Sequence, residues 1–107
     1  MLDTALDTKV QFLHGFSHRT RIQILDLLRT GEKTVSEIMQ SVSGSQSSIS
    51  QHLACLRGCG LVSGRQEGKF MYYSLSNENI HKLLNMFDEV LTDVANDVNS
   101  CQHQIND

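Results

Sequence analysis

A chain of 107 residues can hold one small domain with a modest core, and it contains no apolar run near the roughly 20 residues that span a bilayer. Hydrophobic residues make up 39%, slightly under the usual globular share, which points to stability drawn partly from a partner subunit. A net charge of −3 argues at first against a nucleic-acid partner, and three cysteines cannot all pair within one chain.

The distribution of charge changes the first of these readings. Residues 17–75 carry seven Lys and Arg against four acids, whereas residues 76–107 carry one Lys against six acids. A basic middle suits phosphate, and an acidic end suits another task. The opening MLDTALDTKV holds Asp3 and Asp7 and lacks the basic-then-apolar order of a signal peptide. A cytoplasmic location is therefore expected, with the cysteines kept as thiols.

In chain order, Leu6, Val10 and Leu13 fall at helical spacing over residues 3–16, with Phe12 and Phe16 nearby. Ser17 or Thr20 is the expected cap of a second helix, in which Ile22, Ile24, Leu25, Leu27 and Leu28 form a buried run ending near Gly31. Thr34 opens a short third helix, and Glu37 three residues on completes a capping box. Val35, Ile38, Met39 and Val42 are its inward positions, and Met71 and Met86 further along the chain also read as core.

After the turn Ser43-Gly44-Ser45, a helix is expected over about 46–57, with Ile49, Leu53 and Leu56 as its apolar stripe. Its other face is Gln46, Ser47, Ser48, Ser50 and Gln51, short polar side chains without an acid. Exposed helix faces ordinarily favour Glu, Lys and Arg. A Ser/Gln face suits hydrogen bonds to phosphates and base edges. Two strands follow within about 61–75, around Gln66-Glu67-Gly68-Lys69, with Arg65 and Lys69 flanking the hairpin tip. A last helix, about 77–98, carries Ile80, Leu83, Leu84, Phe87, Val90, Leu91, Val94 and Val98 at 3–4 spacing, followed by a flexible tail over 99–107. That stripe is longer than one small domain needs, so a dimer interface is expected there.

The fold class is accordingly mainly α with a β-hairpin wing, a single winged helix-turn-helix domain dimerised through its terminal helices. No Ser/His/Asp set, paired acids or Gly-rich phosphate loop points to an enzyme. Within HLACLRGCG (52–60), Cys55 and Cys59 lie one helical turn apart, so their sulfurs share a face. Taken alone, that spacing suits a core pair, a redox pair or two ligands of a soft metal ion.

The segments HRTRIQILDLL (18–28), TVSEI (34–38), SQSSISQHLACL (45–56), GLV (60–62) and YYSL (72–75) together resemble the ArsR/SmtB family of metal-responsive bacterial repressors. The resemblance implies a homodimer that binds double-stranded operator DNA, blocks a promoter and is released by metal. It also implies that helix 46–57 enters the major groove through Gln46, Ser47, Ser48, Ser50 and Gln51, with Arg65 and Lys69 on the wing. Two of the family's metal sites lack their ligands here. TVSEIMQSV (34–42) has no cysteine, and Asn79-Ile80-His81 keeps one histidine while Thr92 and Ala95 replace later ligands.

HLACLRGCGLV is similar to the cadmium- and lead-sensing branch of the family, the CmtR type, with Cys-x3-Cys on the recognition helix and a third cysteine near the C-terminus. This implies Cys55, Cys59 and Cys101 as thiolate ligands for cadmium(II) or lead(II), with zinc(II) as a further occupant. Cys101 is expected from the other subunit. His52 and His103 are additional ligand candidates; a thiol-redox or persulfide-responsive repressor is the alternative function.

Overall fold

The computed structural model describes the backbone of residues 4–106 and the side chains of residues 4–95. In order, the elements are α1 (Thr4–His14), α2 (Arg19–Leu28), β1 (Lys33–Thr34), α3 (Val35–Ser41), α4 (Gln46–Gly58), β2 (Val62–Glu67), β3 (Phe70–Leu75) and α5 (Glu78–Asn106). This is a winged helix-turn-helix: α3 and α4 form the helix pair, and β2–β3 form the wing.

The core gathers one face from each of α2, α3 and α4. Ile24, Leu25, Ile38, Ile49, Leu53, Leu56 and Leu61 are almost fully buried, and Ile80 and Leu84 close the cluster from α5. Burying a side chain of this size stabilises the fold by about 1.5–3 kcal/mol each, relative to leaving it exposed. The capping box at Thr34 forms as expected. Thr34 accepts the Glu37 N–H at 3.2 Å, and the Glu37 carboxylate accepts the Thr34 N–H at 2.8 Å. The second of these bonds holds the Glu37 carboxyl below its usual range.

Four local expectations are corrected. The cap of α2 is His18, not Ser17 or Thr20: its Nδ1 accepts the Thr20 N–H at 3.1 Å. The Ser17 hydroxyl instead donates to the His14 carbonyl at the open end of α1. A third strand, β1, pairs antiparallel with β3 through Lys33–Tyr73 and Thr34–Tyr72, giving the sheet order β1-β3-β2. Helix α5 continues through 99–106, where a tail was expected, because NSCQHQIN contains neither proline nor glycine to stop it. Met86, expected in the core, is half exposed.

Helix α1 contributes no fully buried residue. It is held by Phe12 and Phe16, which stack edge to face at 5.5 Å, and Phe16 in turn meets Phe87 of α5 at 5.2 Å. Gly15 lets the α1–α2 turn approach the core closely. A Cβ at that position would stand 2.3 Å from the Leu61 side chain.

Candidate DNA-reading helix and thiol site

Helix α4 begins on a cap and a glycine turn. Gly44, at φ +144°, reverses the chain after α3, and the Ser45 hydroxyl accepts the Ser48 N–H at 3.1 Å. With Ile49, Leu53 and Leu56 buried, the opposite face presents Gln46, Ser47, Ser50 and Gln51 to solvent. Ser48 is half-buried behind them, next to the cap. The free N–H groups of the first turn add positive potential to this face. Exposed Arg57 lies seven residues beyond Ser50, two turns along the same face. It was not singled out from the sequence, although its spacing from Ser50 carried the signal.

The wing turns through Gly68 (φ +61°) and Lys69, whose φ is not positive, the signature of a type II′ hairpin. This places Lys69 at the exposed tip, with its ammonium 5.5 Å from the Phe70 ring centre. Arg65, also exposed, is engaged within the protein. It donates to Glu32 through Nε at 3.0 Å and through Nη2, donates to Glu67 at 2.8 Å, and lies 4.8 Å over the Tyr72 ring. The Arg65 guanidinium holds the Glu32 carboxyl below its usual range. Arg57 lies across the wing at Gly64, where an added Cβ would meet its Cζ at 3.5 Å. The last turn of α4 and the wing are therefore in contact.

That last turn carries the thiols. Cys55 is half-buried within α4, and Cys59 is its buried C-cap, donating its N–H to the Cys55 carbonyl at 2.9 Å. Beyond it Gly60 takes φ +80° and donates to the Arg57 carbonyl, while Leu61 donates to the Leu56 carbonyl. These two bonds form a Schellman motif, sealed by the buried pair Leu56 and Leu61. The motif fixes Cys59 against Cys55.

Polar groups reach both sulfurs from the N-terminal helices. Arg21 of α2 donates through Nη1 to the Cys55 sulfur at 3.1 Å and to the His14 carbonyl at 2.9 Å. Its Nε is buried without a hydrogen-bond partner among the described residues. Gln11 of α1 donates to the Cys59 sulfur at 3.6 Å. Burial raises the Cys59 thiol above its usual range, and the neighbouring Cys55 pushes it the same way; Gln11 and Arg21 oppose both. A groove of about 650 Å³ between α1 and the end of α4 opens onto Cys59, lined by Asp7, Gln11, Phe12 and Gly60 among others.

Of the expected metal ligands, the structure brings Cys55 and Cys59 together. Cys101 and His103 lie outside the residues whose side chains are described. Among the described residues, no cluster of three His, Cys, Asp or Glu side chains could hold a metal ion. The donor chemistry suits a soft cation with a third donor still to be supplied. The His52 and His18 rings meet at a tilt, with ring centres 4.3 Å apart. Burial lowers its imidazole below the usual range, as do the charges of His18 and Arg21.

The terminal helices leave apolar surface open. Leu6, Val10 and Leu13 of α1, and Met86, Val90 and Leu91 of α5, are each about half exposed. A groove of about 510 Å³ runs between α2 and α5, lined by Ile22, Leu83, Phe87 and Leu91 among others. No helix among the described residues is long and apolar enough to cross a membrane.

Residues 18–63 match the family described as bacterial regulatory protein, arsR family. A probable mercury resistance operon repressor from Streptomyces lividans is 32% identical over 95 residues, covering 89% of this chain and 76% of that protein. The crystal structure of Rv0081 from M. tuberculosis superposes with a TM-score of 0.83 at 34% identity, covering 90% of this chain and 97% of that one. The homodimeric winged helix-turn-helix DNA-binding domain Mb0332 from Mycobacterium bovis gives 0.78 at 30% identity, covering 86% and 84%.

Proposed function

The chain belongs to the arsR family of bacterial regulatory proteins, DNA-binding transcriptional regulators, and from that premise we propose that it is a homodimeric repressor gated by its thiols. Cys55 and Cys59 bind a soft, thiophilic cation, cadmium(II) or lead(II), with zinc(II) as a further occupant and Cys101 as third donor. The observation that carries this reading is the meeting of two cysteines on the last turn of the helix whose first turns present Gln46, Ser47, Ser50 and Gln51 to solvent. When bound, the cation supplies a Lewis-acid tie between thiolates, and thiolates select soft ions over magnesium or calcium. Arg21 must release the Cys55 sulfur for this to happen, which couples ligand arrival to the packing of α4 on α2.

On the DNA side, Gln46, Ser47, Ser50 and Gln51 meet base edges and phosphates in the major groove, Ser48 supports the first turn, and Lys69 reaches phosphate from the wing. Arg65 joins them by exchanging Glu32 and Glu67 for phosphate. Exposed pairs of that kind are screened by solvent and weak, so the exchange costs little. The half-exposed apolar residues of α1 and α5 form the dimer surface, and inverted-repeat DNA matches the resulting two-fold axis. The relative from Streptomyces lividans supports the assignment of a thiophilic metal, as a probable repressor of mercury resistance.

Titration of the reduced protein with cadmium tests this reading. A thiolate-to-metal charge-transfer band is expected, weakened by Cys101→Ser and abolished by Cys55→Ser with Cys59→Ser. Absence of the band at stoichiometric metal would remove the metal from the account. Thiol oxidation is the second reading, favoured by the Arg21 contact with the Cys55 sulfur.

A further inference from the structure

We infer that the Cys55–Cys59 pair is a peroxide-reactive dithiol in which Cys55 attacks, Cys59 resolves and Arg21 positions the attacking sulfur. The inference rests on the thiol-gated reading above and assigns its chemistry. Three observations carry it. The Arg21 guanidinium donates to the Cys55 sulfur at 3.1 Å while its buried Nε finds no partner among the described residues. The Nη1 contact thus places the guanidinium on that sulfur, where it orients the sulfur for attack. Cys59 is the more deeply buried of the two and adjoins Cys55 across a single hydrogen-bonded turn, the place of a resolving thiol. Glycines flank Cys59 on both sides, so its backbone can move when the neighbouring hydrogen bonds are lost.

The step balances as follows. The Cys55 sulfur attacks one oxygen of hydrogen peroxide, the O–O bond breaks, and the other oxygen departs as water with the thiol proton, leaving Cys55 as a sulfenic acid. The Cys59 sulfur then displaces the sulfenic oxygen, which leaves as a second water with the Cys59 proton. Two thiols are oxidised to one disulfide, and one hydrogen peroxide is reduced to two waters.

The product does not fit the helix. Cβ atoms four apart on a helix stand about 5–6 Å from each other, whereas a disulfide needs about 3.5–4.5 Å. Closing the bridge therefore breaks the Cys59–Cys55 backbone bond and strains the Schellman bonds of Gly60 and Leu61. Arg57 lies in that turn and rests on the wing at Gly64. Unwinding the turn thus shifts the wing relative to the DNA-facing end of α4, and both must meet the duplex together.

The test uses the reduced full chain and one equivalent of hydrogen peroxide, followed by tryptic digestion and mass spectrometry. Trypsin cuts after Arg57, between the two cysteines, so their disulfide joins peptide 34–57 to peptide 58–65; Cys101 falls in peptide 83–107. The 34–57/58–65 cross-link is expected in the wild type, and a dimedone adduct on Cys55 in Cys59→Ser. Arg21→Gln is expected to slow oxidation about tenfold, equivalent to about 1.4 kcal/mol. Arg21→Lys, which keeps the charge, restores part of the rate and guards against a folding defect. A cross-link to peptide 83–107 instead, an adduct on Cys59 in place of Cys55, or an Arg21→Gln rate equal to wild type overturns the assignment. If cadmium still releases operator DNA while peroxide forms no bridge, this inference falls and the metal-sensor reading stands. If the bridge forms and operator affinity holds, the gating reading falls instead.

Discussion

The two ends of α4 do opposite things with the same backbone. Its first turns are capped by Ser45 and show Gln46, Ser47, Ser50 and Gln51 to solvent, a surface able to exchange water for DNA. Its last turn is closed by a Schellman motif and packed against α1, α2 and the wing, with two sulfurs held by Arg21 and Gln11. One end is open to solvent; the other is enclosed around two sulfurs. Because a helix transmits displacement along its axis more readily than it bends, chemistry at the enclosed end can be felt at the open end. The buried stripe Ile49, Leu53 and Leu56 is the shared support.

Removing that shared support should give the largest effect. Leu53→Ala, at an almost fully buried position between the two ends, is expected to cost about 2–5 kcal/mol in urea unfolding. Operator binding and thiol protection should be lost together; independent loss would mean that the two ends are not mechanically joined.

A smaller effect separates them. Gln51→Ala should weaken operator binding by about 1–3 kcal/mol in a fluorescence-anisotropy titration, if Gln51 pairs with a base edge. Cysteine alkylation rates should not change. Unaltered affinity would take Gln51 out of the reading surface.

Gly60→Ala acts at the other end. An L-residue at φ +80° costs about 1–2 kcal/mol, so the Schellman turn should loosen and Cys59 should alkylate faster. Unchanged alkylation at reduced stability would show that the motif does not govern thiol access.

The smallest expected effect is one of pH. His52 sits midway along α4, with its folded-state imidazole held below the ordinary range by burial first and then by His18 and Arg21. The unfolded chain accepts a proton near pH 6.5 that the folded chain resists. Stability is therefore full above that value and falls as the pH drops below it. Urea midpoints measured between pH 7.5 and 5.5, a range chosen to bracket about 6.5, should show this decline, and His52→Gln should flatten it.

The open end of α4 was more legible in the sequence than the thiol end. Capping chemistry and the 3.6-residue repeat are local signals, and they located Thr34 and the stripe of α4 correctly. The hairpin was legible for the same reason, from Gly68 and its flanking strands. The surroundings of the cysteines were not, because they come from distant parts of the chain. Arg21 reaches Cys55 across 34 positions, and Gln11 reaches Cys59 across 48, with no spacing rule to reveal either. Strand β1 is two residues long and exists only through its pairing with β3. The engagement of Arg65 by Glu32 escaped notice likewise, since a basic wing residue looks free until the fold supplies its acid.

The central claim is that the state of Cys55 and Cys59 sets the affinity of α4 for DNA. It is tested most directly by fluorescence anisotropy with the reduced full chain and an operator duplex selected by that reduced protein, with and without stoichiometric cadmium. The account predicts a fall in affinity of about 5–150-fold with metal, a coupling of about 1–3 kcal/mol, and no response in Cys55→Ser with Cys59→Ser. Equal affinity with and without metal in the wild type, or an undiminished response in the double variant, would contradict it.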